Sequence, residues 1–207
     1  MDWSDWDQKS LEDKGLVGWI RWADWPPPKK ELPASAGGVY VLFRRSQSEP
    51  RFLDRSTGAT HKKRDPSLGR DALTANGVPA ANVVYIGKAD HHRLRGRLNE
   101  YQAMGAKPTG SHWGGRLIWQ LSDSRKLLVA YLVLPPTDIP RNVETKMIEG
   151  FRRRYGKPPL RTIRTSLDAS GDRQRTPWPG HELSHSAAKD RRAVLADLSV
   201  LVDRSLL

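Results

Sequence analysis

Two short runs constrain this chain more than anything else in it: Gly38-Val39-Tyr40-Val41-Leu42-Phe43 and Asn82-Val83-Val84-Tyr85-Ile86-Gly87. Each is continuously apolar, rich in β-branched and aromatic residues, and bounded by glycine or a polar residue, which is the pattern of a buried strand. Side chains alternate along a strand, so Tyr40 points away from Val39 and Val41, and Tyr85 away from Val84 and Ile86. If the strands pair in register, both phenols share one face of a sheet. From about Asp90 to Met104 the pattern becomes helical, with Leu94 and Leu98 one turn apart. Arg116–Leu121 and Lys126–Leu134 read as two further strands joined as a hairpin at Ser122-Asp123-Ser124, and Pro135-Pro136 ends the second. Asp138–Tyr155 reads as a second helix, with Pro140 in its first turn, a stripe of Val143, Met147, Ile148 and Phe151, and Gly156 as its stop. The order β-β-α-β-β-α predicts a small α/β domain, a central, largely antiparallel sheet flanked by helices.

Three segments lie outside or interrupt that unit. Residues 1–31 form a Trp-rich N-terminal arm carrying Trp3, Trp6, Trp19, Trp22 and Trp25. A short helix is expected over residues 4–14, with Ser4 as N-cap and Gly15 as stop, and Pro26-Pro27-Pro28-Lys29-Lys30 as a stiff connector. The tryptophans are expected to pack over their own domain rather than stack on bases. Residues 44–81, with eight bases and four acids, are too long for a simple turn and read as a functional loop or a disordered insertion able to wrap nucleic acid. Residues 162–207 read as a loop and an amphipathic C-terminal helix with Val194, Leu195, Leu198, Leu201 and Val202 on one side. That stripe suits docking onto the domain, with a homodimer seam as the alternative use.

Composition removes several chemistries. The chain has no cysteine, which excludes disulfide scaffolds, Cys-ligated zinc and thiol catalysis. No apolar run approaches the roughly 20 residues of a membrane span. The start, Met1-Asp2-Trp3-Ser4-Asp5-Trp6-Asp7, is acidic and aromatic where a secretory signal is basic and then apolar, so a cytoplasmic protein is expected. The positive side of the argument is charge. The formal net charge is +12 and the pI near 10.2, which makes nucleic acid the leading partner class. Half of that excess sits in residues 141–164, where eight bases face two acids. Clustered cations of this kind neutralise phosphates and release counterions.

The chemistry-bearing residues follow the strands. Arg97 and Tyr101 are four apart on the first helix and share a face. Glu144 stands beside the apolar stripe of the second helix, where a carboxylate is less expected than on the solvent side. Gly38-Val39-Tyr40, then Tyr85-Ile86-Gly87-Lys88, then Arg97 with Tyr101, then Glu144 followed by Gly156-Lys157-Pro158-Pro159-Leu160, resemble the GIY-YIG nuclease superfamily, over residues 32–161. The approach Leu32-Pro33-Ala34-Ser35-Ala36-Gly37 is similar to that of its repair-nuclease branch. The resemblance implies a metal-dependent endonuclease that hydrolyses DNA phosphodiester bonds. By that resemblance Glu144 holds magnesium or manganese, Tyr40 is the general base for the attacking water, and Tyr85 holds that water or a phosphate oxygen. Lys88, Arg97 and the metal supply positive charge beside the Tyr40 phenol, Arg97 also stabilises the charge that builds on phosphorus, and Tyr101 completes the catalytic group. A free phenol titrates near 10, so Tyr40 needs positive charge close by to act at neutral pH.

The sequence also departs from that pattern. Arg161 stands where the family carries an asparagine, the Tyr40–Tyr85 gap is long, and two extra residues between Lys88 and Arg97 leave Arg93 and Arg95 as rivals for the arginine role. Arg93, Arg95, His112, Arg116, Arg152, Arg153, Arg154, Lys157 and Arg161 are the expected nucleic-acid contacts, His112 and Arg116 because they flank a Gly-Gly able to approach a phosphate closely. A binding-only module on the same basic face is the alternative function. His181-Glu182-Leu183-Ser184-His185 fits the HExxH zinc pattern and is the remote metalloprotease reading. The preceding Pro179-Gly180 and the lack of a later His or Glu ligand weigh against it.

Overall fold

Along Gly37–Phe43 (β2), Tyr40 and Leu42 join one apolar cluster while Val39, Val41 and Phe43 join another, and every residue of the strand is buried. That division is the period-two alternation of a strand covered on both faces. The computed structural model describes residues 2–27, 31–108 and 113–160, all within one unit of residues 1–163. The expected helix and metal motif beyond residue 160, with His112 and Arg161, lie outside the described residues.

The sheet has four antiparallel strands in the order β1-β4-β2-β3, built from Val17–Arg21 (β1), β2, Val83–Ala89 (β3) and Leu128–Leu134 (β4). Helix α1 (Gln8–Asp13) precedes it, α2 (Arg70–Asn76) lies between β2 and β3, α3 (Leu94–Ala103) follows β3, and α4 (Pro140–Tyr155) follows β4. Leu94, Leu98 and Tyr101 of α3 belong to the cluster with Tyr40. Met147 and Phe151 of α4 belong to the one with Val39 and Val41. The two helices therefore cover opposite faces. Pro140 opens α4, and Gly156 closes it in the left-handed region at φ 78°, where its N–H bonds back to Arg152.

The strand count matches the α/β expectation, but one strand comes from elsewhere. Residues 116–121 are not a strand. They lie in and just after a 3-10 helix, Trp113–Gln120, that buries Leu117, Ile118, Trp119 and Leu121. A short continuous apolar run does not by itself distinguish a buried strand from a buried helical turn. The expected hairpin at 122–124 is replaced by a second 3-10 turn, Ser124–Lys126, so β4 pairs with β1 and β2 instead.

The missing partner is supplied by the N-terminal segment, which is more than an arm: Ile20 and Arg21 pair with Val129 and Leu128. Its tryptophans pack inward as expected. Trp3 and Trp6 are buried against α4, with Trp6 edge-on to Phe151 at 5.2 Å, while Trp22 and Trp25 enter the opposite cluster. The first helix starts a turn later than expected. Asp7, not Ser4, is its cap, extended at φ −75° and ψ 165° and accepting from the Ser10 N–H at 2.9 Å, while Trp3 and Trp6 before it are buried.

Residues 44–81 also fold back onto the domain. The Gln120 side chain, fully buried, accepts from the Leu68 N–H at 2.9 Å and donates to the carbonyls of Leu53 and Leu68 at 2.9 and 2.7 Å. The Thr57 and Ala59 N–H groups bond to the Trp119 and Met104 carbonyls. At the loop's start Arg44, 6% exposed, is paired with Asp123 at 2.8 Å. The segment is thus pinned at several points rather than a disordered insertion.

Candidate active site

A polar cleft of about 350 Å³ opens at β3, an edge strand, and is lined by Tyr40, Tyr85, Lys88, Ala89, Asp90, Arg93, Arg97 and Glu144. These residues come from β2, β3, the turn after β3, α3 and α4. Five of the six residues expected to do chemistry meet here, although Tyr40 and Glu144 are more than a hundred positions apart.

The phenols are brought together by register. Leu42 stands opposite Tyr85 and Tyr40 opposite Gly87, so the tyrosines sit diagonally across the β2–β3 ladder. Their rings are 6.0 Å apart and 30° from parallel. Gly87 makes this packing feasible: a Cβ there would lie 2.6 Å from the Tyr40 phenol oxygen and 2.8 Å from the Tyr85 ring. Tyr40 is 1% exposed and Tyr85 half-buried, so Tyr85 is the phenol more open to the cleft. Burial pushes the Tyr40 phenol well above its ordinary range. The Tyr85 neighbour, Glu144 and a hydrogen bond with Tyr85 push the same way, while Arg97 pulls it down. The positive charge expected beside Tyr40 is present, and burial outweighs it.

Tyr101 is brought close but does not line the cleft. It is fully buried, edge-on to Tyr85 at 5.3 Å, and its hydroxyl donates to the Gly115 carbonyl at 2.9 Å. Burial, reinforced by Tyr85 and Tyr40, raises its phenol too. Its place is as a wall that supports the tyrosine pair.

The cationic groups are sorted by their partners. Lys88 bonds to Asp90 at 2.7 Å, and that bond holds the Asp90 carboxyl below its usual range. Arg93 and Arg97 line the cleft. Arg95 does not: its Nε donates to the Leu32 carbonyl at 2.8 Å and its Nη1 to that of Pro27 at 3.0 Å, which fastens α3 to the N-terminal segment. Arg95 is therefore not the rival that the spacing allowed. Arg116 is also removed from the expected contacts, because it is 4% exposed, carried inward by the 3-10 helix that replaces the expected strand. Arg152, Arg153 and Arg154 are exposed in the last turn of α4, and Lys157 donates to the Ala75 carbonyl at 2.9 Å. Asp90 is a lining residue that the sequence reading did not single out; its position two residues beyond Lys88 was the available signal.

A strap keeps the cleft's rim in place. His92 and Leu94 donate their N–H groups to the carbonyls of Ser35 and Ala36, and the His91 ring lies 3.1 Å from the Asp138 carbonyl. The turn leading into α3 is thereby joined to the turn leading into α4.

No group of three or more His, Asp and Glu side chains that could hold a metal exists among the described residues, so no closed protein cage is built here. Glu144 lies in the cleft near the tyrosine pair. Magnesium keeps several waters and is typically bound through one or two carboxylates, which this polar, open cleft can accommodate. Among the described residues no helix is long and apolar enough to cross a membrane. No family model, curated protein or solved structure matches this chain.

Proposed function

We propose that this protein is a metal-dependent endonuclease of GIY-YIG type that hydrolyses DNA phosphodiester bonds. The observation that carries this reading is the convergence of Tyr40, Tyr85, Lys88, Arg93, Arg97 and Glu144 on one polar cleft of about 350 Å³. Two arginines and a lysine, against the two carboxylates Asp90 and Glu144, suit a reaction in which negative charge builds on phosphate oxygens. Arg97 and Arg93 orient the phosphate by hydrogen bonds and oppose the growing charge. The Tyr85 phenol, open to the cleft, holds the attacking water or a phosphate oxygen. Tyr40, buried behind it, fixes the Tyr85 phenol through their hydrogen bond and serves as base only if bound groups lower its affinity for the proton. Glu144 would hold magnesium or manganese, which would supply positive charge to offset that of the leaving 3′ oxygen.

The burial of Tyr40 is the specific observation that favours the second reading, a nucleic-acid-binding module without catalysis. One experiment separates them. Purified protein is incubated with supercoiled plasmid, a branched duplex and single-stranded RNA, with magnesium, manganese or chelator, beside Glu144→Ala. Metal-dependent fragments lost in the variant support the nuclease. Binding to every substrate with cleavage of none supports the module.

A further inference from the structure

Arg93, Arg97 and Glu100 stand at i, i+4 and i+7 on one side of α3 and its N-cap. The Glu100 carboxylate spans the two guanidiniums: Arg93 Nη2 donates to Oε1 at 2.8 Å and Arg97 Nη1 to Oε2 at 3.5 Å. Both arginines line the cleft, and Glu100 is not among its lining residues. A carboxylate standing in for a phosphate would occupy the cleft itself. Glu100 instead touches the arginines from outside the lining. A guanidinium has five N–H donors, so one contact each with Glu100 does not exhaust either arginine.

We infer that Glu100 is a positioning residue: its carboxylate holds Arg93 and Arg97 side by side as a two-guanidinium clamp for the backbone phosphates of a nucleic acid entering the cleft. This rests on the nucleic-acid reading of the cleft proposed above. Without that carboxylate, two like charges one helical turn apart repel and separate, and the phosphate meets one arginine at a time. Partly exposed ion pairs contribute little to stability, so their arrangement here is better explained by orientation than by folding.

The test uses the full chain, a fluorescein-labelled DNA duplex and EDTA to prevent cleavage, with affinity read by anisotropy over a salt series. Log affinity falls with log salt, and each neutralised phosphate steepens that fall by about 0.9. Glu100→Gln is expected to make that fall shallower by about one and to weaken low-salt binding roughly tenfold, with Tm unchanged. Glu100→Asp keeps the charge and is expected to recover part of the slope. An unchanged slope in Glu100→Gln, or no recovery in Glu100→Asp, would overturn the positioning role. Tighter binding by Glu100→Gln would also overturn it, by making the carboxylate a competitor of phosphate. If the wild-type chain binds neither this duplex nor single-stranded RNA, the reading of the cleft itself fails, a result distinct from wild-type binding with an unchanged slope.

Discussion

Gly87 stands directly opposite Tyr40 in the β2–β3 ladder, and the space a β-carbon would occupy there is taken by the Tyr40 phenol and the Tyr85 ring. The tyrosine pair thus depends on a residue with no side chain. Gly87→Ala is expected to force the rings apart, cost about 1–3 kcal/mol of stability, and reduce cleavage far more than nucleic-acid binding. Denaturant unfolding and a plasmid assay check the two halves. Wild-type activity in this variant would mean the close packing of the phenols has no part in the chemistry.

Arg95 and Arg97 are two positions apart and have opposite expected effects. Arg97→Ala should lower cleavage by about 100-fold while leaving Tm within a degree or two, since its place is on the cleft. Arg95→Ala should lower stability by about 1–3 kcal/mol, because the Leu32 and Pro27 carbonyls lose their donor, and should retain activity in the fraction still folded. Side-by-side Tm and cleavage measurements decide which arginine does which work.

The raised phenols of Tyr40 and Tyr101 give a pH dependence with a definite sign. A phenol that holds its proton more tightly when folded leaves stability untouched below the ordinary range near 10. Above about pH 10 the unfolded chain releases that proton first, so stability falls as pH rises further. Tm should therefore drop steeply in alkali, and Tyr101→Phe should make the drop shallower. Tyrosinate absorbance followed with pH gives an independent reading, and titration of every tyrosine near 10 without unfolding would contradict the buried pair.

Deleting residues 1–31 is expected to unfold the protein rather than trim it. The deletion removes β1, which pairs with β4, together with four buried tryptophans and Leu11 and Leu16 from the two clusters. A single Trp6→Ala should cost about 3–5 kcal/mol. Circular dichroism and thermal unfolding measure both effects. A truncated chain that melts like the full one would return these residues to the status of an appended arm.

The parts with a clear period were legible in the residues alone. Alternation along β2 set which way Tyr40 faces, and the 3.6-residue stripe of α4, with Pro140 and Gly156 at its ends, located Glu144 beside the core. These are local signals, because a strand or an amphipathic helix carries its own geometry in the spacing of its residues. The rest came from packing, beginning with the β2–β3 register, whose shift beside Leu42 leaves Val84 and Tyr85 both on the Tyr40 side instead of on opposite faces. Residues 116–121 are apolar enough for strand or helical turn, and their burial beside Tyr101 and Trp22 as a 3-10 helix depends on what surrounds them. Their displacement left a place beside β4 that Val17–Arg21 fills, a pairing across more than a hundred residues that no local pattern announces. Likewise, spacing allowed Arg93, Arg95 or Arg97 at the cleft, and only the positions of the Leu32 and Pro27 carbonyls turned Arg95 away. Local chemistry sets the element, but which partner a side chain meets is settled by the whole packed chain.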